Sequence, residues 1–397
     1  VAQIRGPRGD LLGALVGAGK AEWDELDRNL LLGFAHQLGG ALELQRMKEQ
    51  LAAASRQRSS RLAGTTQTLE ILYVCPACAR CFGPEARRCE ADGTPLTEPR
   101  SFPHRVLDRY ALTRVLGEGG MGTVFEAHDE KLDRVVAVKI VKPEHFRNPT
   151  VRRRFVEEAH AIAAIRHPNV VDLFDSGDLG DGSMFLVVER LHGRDLSDLH
   201  RFSGRGTPAQ VASLLRQGAA ALGAAHRAGI VHRDIKPENV FLCPEGEGFR
   251  VRLLDFGLAK RVDGDRKLTQ SGLIVGTPAW MPPEQITGRE VDERADVYSF
   301  AAVCYQALVG RGVTTETDLD RVFVDVVRTV PPPVSVLLPE APAEVDAAFR
   351  AALAKSPEGR PRDVRSWAGP LAQALESLPS RGPGWVFPSP GEPDRRP

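Results

Sequence analysis

The segment His232-Arg233-Asp234-Ile235-Lys236-Pro237-Glu238-Asn239, followed sixteen residues after its asparagine by Asp255-Phe256-Gly257, constrains this chain more than any other stretch. Taken singly these residues say little: an Asp after an Arg is ordinarily a surface ion pair, and Asp-Phe-Gly a turn. In this order they form a chemical set. Asp255 is a carboxylate ligand for a divalent cation, and Asn239 offers a neutral oxygen to a second cation without over-charging the site. Asp234 can orient a hydroxyl and accept its proton, while Lys236 can neutralise a moving anion. A fold that uses them must bring a loop and a later turn onto one small volume.

The arrangement resembles the catalytic loop HRDxKxxN and the metal-binding turn DFG of the eukaryotic-like protein kinases. Lys236, two residues after Asp234, resembles their serine/threonine branch. The resemblance implies transfer of the γ-phosphoryl group of ATP to Ser or Thr hydroxyls of proteins in bacterial signal transduction, with magnesium, or manganese in its place, on Asn239 and Asp255. It also implies an α+β, two-lobed protein kinase fold: a small antiparallel β lobe with one helix, and a large helical lobe. The rival from another class is a pseudokinase, a scaffold that holds ATP or a partner without transfer. Every catalytic position is filled, which argues against it.

Upstream, Gly117-Glu118-Gly119-Gly120-Met121-Gly122-Thr123-Val124 fits the kinase pattern GxGxxGxV, where residues without a Cβ let backbone amides approach phosphates. Glycine-rich loops also open dinucleotide-binding folds, where a strand leads into a helix. Here residues 109–116 and 123–127 are both strand-like, so the glycines lie in a hairpin, and 135–139 follow as a third strand ending on Lys139. By the resemblance, Lys139 holds the α and β phosphates. Within residues 150–165, Phe155, Ala159, Ile162 and Ile165 recur at helical spacing. Glu158, nineteen residues beyond Lys139, is in register with the glutamate that fixes this lysine. Glu157 is the neighbouring candidate, turned about 100° around the helix.

Residues 185–191 read as an apolar strand running into a polar break, similar to the kinase strand and hinge that touch adenine. By that likeness Val188 is the gatekeeper, and Glu189 and Leu191 offer backbone hydrogen bonds to the base. Val124 and Ala137 cover the ring from above, with Phe241 or Leu242 below; plain core packing is the competing role for each apolar side chain. Gly276-Thr277-Pro278 and Pro282-Pro283-Glu284 resemble the end of the activation segment, with Pro282 where the family carries alanine. Glu284 is expected to pair with Arg360, and Asp296 to anchor the catalytic-loop backbone. Thr269 and Ser271 are candidate phosphorylation sites, modified by a self-associating copy of the chain and read by Arg233. Thr277 reads instead as a hydroxyl facing Asp234 and Lys236.

The kinase-like stretch, 106–375, takes about two thirds of the 397 residues. Lys and Arg number 52, as do Asp and Glu, so no general attraction to nucleic acid or an anionic membrane is expected. No apolar run approaches the ~20 residues of a membrane helix, and no signal peptide is recognised. The expected location is cytoplasmic, and the expected partners are protein substrates with Ser or Thr acceptors. A Pro-rich tail, 376–397, is expected to be disordered.

Four of the six cysteines fall in Cys75-Pro76-Ala77-Cys78-Ala79-Arg80-Cys81 and Cys89-Glu90-Ala91-Asp92. A CxxC pair followed by CxxD resembles a zinc ribbon, two tight turns presenting ligands to one tetrahedral metal, here within residues 73–98 after a linker, 61–72. Cys75, Cys78 and Cys89 are the expected ligands of a structural zinc. The fourth is Asp92, by knuckle position, or Cys81, by softness. Arg80, Arg87 and Arg88 are offset by Glu85, Glu90 and Asp92, which leaves no basic stripe for nucleic acid.

Residues 1–60 read as a hairpin of strands 2–5 and 11–16 and a long helix over 23–54. Residues 4–16 and 32–41 are similar to the last hairpin and final helix of a GAF sensory domain. A coiled-coil dimerisation helix fits the periodicity equally well.

Overall fold

The computed structural model describes residues 2–5, 11–15, 71–143, 146, 149–256, 278–316, 318–380 and 382–387. The expected helix at 23–54, and Gly257, Thr269, Ser271, Gly276 and Thr277 of the activation segment, lie outside the described residues. Backbone contacts divide the chain into two compact units. The larger comprises Val1–Gln45, Ile165–Val170 and His192–Pro397; the smaller comprises Arg46–Ala164 and Val171–Leu191. At the N-terminus β1 (Ala2–Arg5) and β2 (Leu11–Leu15) pair antiparallel, Ala2 opposite Leu15.

The smaller unit opens on a three-stranded sheet of β3 (Ile71–Val74), β4 (Cys81–Phe82) and β5 (Pro99–Pro103), in the order β4-β3-β5. This sheet extends beyond residues 73–98 at both ends. Cysteine spacing marks its knuckles, whereas the pairing of Leu72 with Arg100, which closes the sheet, is a long-range register. A six-stranded antiparallel sheet follows: β6 (Arg105–Val106), β7 (Tyr110–Gly119), β8 (Gly122–Asp129), β9 (Arg134–Val141), β10 (Leu173–Asp178) and β11 (Met184–Glu189). Its order is β10-β11-β9-β8-β7-β6. Strand β9, flanked on both sides, is a near-continuous run of buried Val and Ile. Tyr110, Leu112, Phe125, Val136, Val138, Ile140, Phe185 and Val187 share one core with Leu72 and Cys81 of the ribbon. Helix α1 (Pro149–Ala163) buries Phe155, Ala159 and Ile162, and Phe155 meets Phe146 edge-on at 5.0 Å. An enclosed side chain the size of Phe155 or Ile162 is worth about 1.5–3 kcal/mol in removed apolar area.

In the larger unit β12 (Arg194–Asp195) leads into α2 (Leu196–Ser203) and α3 (Pro208–Arg227). Thr207 and Gln210 close a capping box before Pro208, which fixes where α3 begins. Strands β13 (Val240–Glu245) and β14 (Gly248–Leu253) form a hairpin beside β12. Helix α4 (Glu293–Val309) is buried nearly all round, the pattern of a central helix. It approaches α3 closely enough that a Cβ at Gly218 would lie 2.3 Å from Phe300. Helices α5 (Leu319–Arg328), α6 (Ala343–Ala352) and α7 (Val364–Glu376) complete the unit.

Part of the tail departs from expectation, and residues 388–397 lie outside the described residues. Residues 382–387 pack onto the larger unit instead of being disordered. Trp385 is 3% exposed, its backbone exchanges hydrogen bonds with the Gln210 side chain, and its ring donates to the Gly204 carbonyl. Proline content predicted disorder, but one buried indole holds the segment. Among the described residues no helix is long and apolar enough to cross a membrane.

Candidate active site

Asp234, Lys236 and Asn239 converge in the larger unit. The Asn239 amide nitrogen donates to the Asp234 carbonyl (2.7 Å) and to its carboxylate (3.1 Å), and Lys236 Nζ lies 3.3 Å from the same carboxylate oxygen. With its NH2 committed, Asn239 keeps its amide oxygen for a cation. Asp296 fixes the loop from below: its carboxylate accepts the backbone N–H of His232 (2.8 Å) and of Arg233 (2.9 Å), and pairs with His226 Nε2 at 2.8 Å. Arg233 is held at φ 62°, a left-handed conformation that a non-glycine residue adopts at a cost. The sequence reading identified Asp296 but missed His226, a single histidine in an Ala-rich helix that no local pattern distinguishes.

Residues 254–256 are tied to this loop twice. Leu254 N–H donates to the Asn239 carbonyl (2.9 Å), and His232 Nε2 donates to the Leu254 carbonyl (2.9 Å). His232 Nδ1 accepts the Asp234 N–H at 3.3 Å, so both ring nitrogens are used by the neutral tautomer. Burial lowers the pKa of this fully enclosed imidazole, in keeping with that assignment. Its ring packs at a tilt against Phe256, ring centroids 4.4 Å apart, and Asp255 sits between these anchors at φ 47°. Glu284 and Arg360 form the expected buried pair. In β13, Leu242 is fully buried and Phe241 nearly so.

The nucleotide-side candidates lie on the smaller unit. Gly119 pairs with Gly122 across the hairpin that joins β7 to β8. A Cβ on Gly122 would lie 2.1 Å from the Ile140 carbonyl, so this position admits only glycine. Gly117 lies opposite Val124, Val124 opposite Lys139, and Ala137 opposite Val188. Of the two glutamates on α1, Glu157 is exposed and 3.5 Å from Arg153, whereas Glu158 is half-buried beside Ala159. Glu189 and Leu191 flank Arg190, whose guanidinium pairs with Glu126 of β8 at 3.0 Å and so ties the polar break to the sheet.

A second cluster lies in the ribbon. One ligand atom from each of Cys75, Cys78, Cys89 and Asp92 falls within 4.8 Å of the others. Cys78 Sγ is 3.5 Å from Cys89 Sγ, and Cys75 Sγ is 3.4 Å from Asp92 Oδ2. Sulfurs about 2.3 Å from one metal would stand roughly 3.8 Å apart, so this set needs little movement to enclose a tetrahedral ion. Cys81, the alternative fourth ligand, is buried in the apolar core, where burial pushes its thiol up to about 12. Burial, then the Asp92 carboxylate, push Cys78 up to about 12. A bound cation would reverse that preference by stabilising the thiolate.

Residues 110–349 match the protein kinase domain family. Among curated relatives, serine/threonine-protein kinase PknA of Mycobacterium tuberculosis is 36% identical over 274 residues, covering 68% of this chain and 61% of that protein. Pkn1 of Myxococcus xanthus is 39% identical over 270 residues, covering 67% and 38%. A probable serine/threonine-protein kinase of Corynebacterium efficiens is 34% identical over 297 residues, covering 73% and 44%. The chain thus spans between 38% and 61% of the length of these relatives. The crystal structure of the M. tuberculosis PknI kinase domain is similar with a TM-score of 0.55 at 27% identity, covering 68% of this chain and 98% of that domain.

Proposed function

The chain belongs to the protein kinase domain family, and from that premise we propose that it is a serine/threonine protein kinase acting on protein hydroxyls. The observation that carries the reading is the Asp234 carboxylate held jointly by Asn239 and Lys236. Asp234 orients the acceptor hydroxyl and takes its proton, and Lys236 offsets negative charge on the phosphoryl oxygens. Asp255 and the Asn239 amide oxygen form an all-oxygen donor set suited to magnesium, which when bound neutralises the phosphates. Gly117, Gly119 and Gly122 bring backbone amides to the phosphates, Lys139 holds them, and Glu158 fixes Lys139. By the kinase resemblance, Val124, Ala137, Val188, Glu189 and Leu191, with Phe241, are the residues assigned to the adenine.

The test is phosphate transfer from labelled ATP by the full chain with magnesium, to itself and to Ser/Thr peptides. Phosphate on Thr269 or Ser271, mapped by mass spectrometry, is expected from self-modification. Transfer no faster than that of Asp234→Asn would leave the scaffold reading standing.

The ribbon is read as a structural zinc centre of Cys75, Cys78, Cys89 and Asp92, supported by the mutual approach of these ligand atoms. One zinc per chain by elemental analysis is the expected result.

A further inference from the structure

The ribbon does not merely precede the six-stranded sheet. Its first knuckle is bonded to β7, the strand that runs into the glycine-rich loop. Arg80 and Arg114 form an antiparallel bridge, Val115 N–H donates to the Ala79 carbonyl at 2.8 Å, and Arg114 Nε donates to the Cys78 carbonyl at 3.3 Å. Val115 is two residues from Gly117, beside the irregularity in the pairing of β7 with β8 between Val115 and Gly117. Further along, Arg100 of β5 pairs with Glu118, inside the glycine-rich loop itself, at 3.2 Å. Phe102 of β5 meets Phe125 of β8 edge-on at 5.1 Å, under the same hairpin.

The knuckle that supplies these carbonyls is strained. Ala79 has φ 59° and lies directly after Cys78. Its N–H donates to the Cys75 carbonyl at 2.9 Å, and Cys75 N–H donates to the Arg80 carbonyl at 2.8 Å. Cys75 and Cys78 are thus both candidate metal ligands and the two ends of the turn that aims the Ala79 carbonyl at Val115. A metal that fixes both sulfurs fixes that carbonyl. Without one, three thiols and a carboxylate have no common partner, and the turn can relax a left-handed alanine.

We infer that the Cys75, Cys78, Cys89 and Asp92 centre is a regulatory zinc site: zinc held there sets β7 and the glycine-rich loop, and so governs affinity for magnesium-bound nucleotide. The inference rests on the phosphotransfer reading of the glycine-rich loop and on the zinc reading of the ribbon. It is not a step in catalysis, since no ribbon residue enters the transfer. Linkage makes it reciprocal: the factor by which zinc strengthens nucleotide binding equals the factor by which nucleotide strengthens zinc binding.

The experiment uses the full chain, stripped with a zinc-selective chelator and reloaded with zinc at constant excess magnesium. ADP affinity is measured calorimetrically in both states. Zinc affinity is measured by competition with a chromophoric chelator, with and without saturating magnesium-ADP. The expected result is an ADP affinity on the order of 10-fold weaker without zinc, the same factor in the reciprocal experiment, and faster hydrogen exchange at Val115. Arg114→Ala, which removes a tie to the ribbon but no ligand, is expected to keep its zinc and narrow that factor. A chain that binds no zinc overturns the inference at the metal. Zinc bound, with ADP affinity and Val115 exchange the same in both states, overturns it at the coupling while leaving both underlying readings intact. A zinc-loaded chain that binds no magnesium-ADP overturns it together with the phosphotransfer reading.

Discussion

Glu284 and Arg360 meet in a two-fold ion pair, with both N–O distances 2.7 Å and with 3% and 0% of their side chains exposed. Arg360 also donates to the carbonyls of Ala354, Arg294 and Lys355, so its charge is spent on one carboxylate and three backbone acceptors. Arg360→Met strands an ionised glutamate in the interior. The expected loss is about 3–5 kcal/mol in urea unfolding. Adding Glu284→Leu should recover part of it, because the orphaned charge goes too. A single variant within 1 kcal/mol of the parent by roughly the same measure would contradict the pair's enclosure.

Asp234→Asn keeps an oxygen for Asn239 and removes the proposed proton acceptor. Transfer is expected to fall by about 10²–10⁴-fold, with ADP affinity unchanged. Asp255→Ala deletes the proposed cation ligand, so magnesium-dependent nucleotide binding should weaken as well. Equal nucleotide affinities for the two variants would reverse these assignments.

His232 gives the larger unit an acid limit. Its folded pKa lies below the ordinary value of 6.5 because burial disfavours the imidazolium. Below that value the unfolded chain takes up a proton that the folded chain refuses, so stability falls as pH falls, until the folded pKa is reached. The slope from this one group is at most about 1.4 kcal/mol per pH unit. Denaturant titrations between pH 7 and pH 5, taken as rough bounds on the imidazole range, should show His232→Phe with a flatter dependence than the parent. Parallel curves would assign the acid sensitivity elsewhere.

Cys81→Ala should leave the zinc content at one per chain, since this thiol packs in the apolar core and is not among the four clustered ligands. Cys89→Ser and Asp92→Ala should lower zinc affinity measurably by chelator competition. Loss of the metal in Cys81→Ala would restore Cys81 as the fourth ligand.

Trp385 is the tail's anchor. Its ring closes on Gly206, where a Cβ would lie 2.8 Å away, and meets Phe249 at 5.9 Å. Trp385→Ala should cost about 3–5 kcal/mol, and proteolysis within residues 377–387 should become rapid. A tail equally resistant in parent and variant would show that the indole is not what holds it.

The arrangement of residues 232–239 was legible because its parts are close in sequence. Asp234, Lys236 and Asn239 span one short segment, and their hydrogen bonds follow from local geometry. Glu284, Arg360 and Asp296 were legible through the kinase resemblance, which supplied pairings between residues up to seventy-six positions apart. Three features required the folded chain. The fourth ribbon ligand was undecided while Cys81 and Asp92 were weighed by softness and spacing; the fold buries Cys81 in the core of the six-stranded sheet and groups Asp92 with Cys75, Cys78 and Cys89, which favours Asp92. The tail looked disordered by composition, yet one indole finds a cleft 175 residues away at Gln210. The bonds from Cys78 and Ala79 to Arg114 and Val115 have no counterpart in either segment alone. Spacing within a turn sets which ligands a knuckle offers, but where that knuckle docks depends on the shape and burial of a distant strand, which local sequence does not encode.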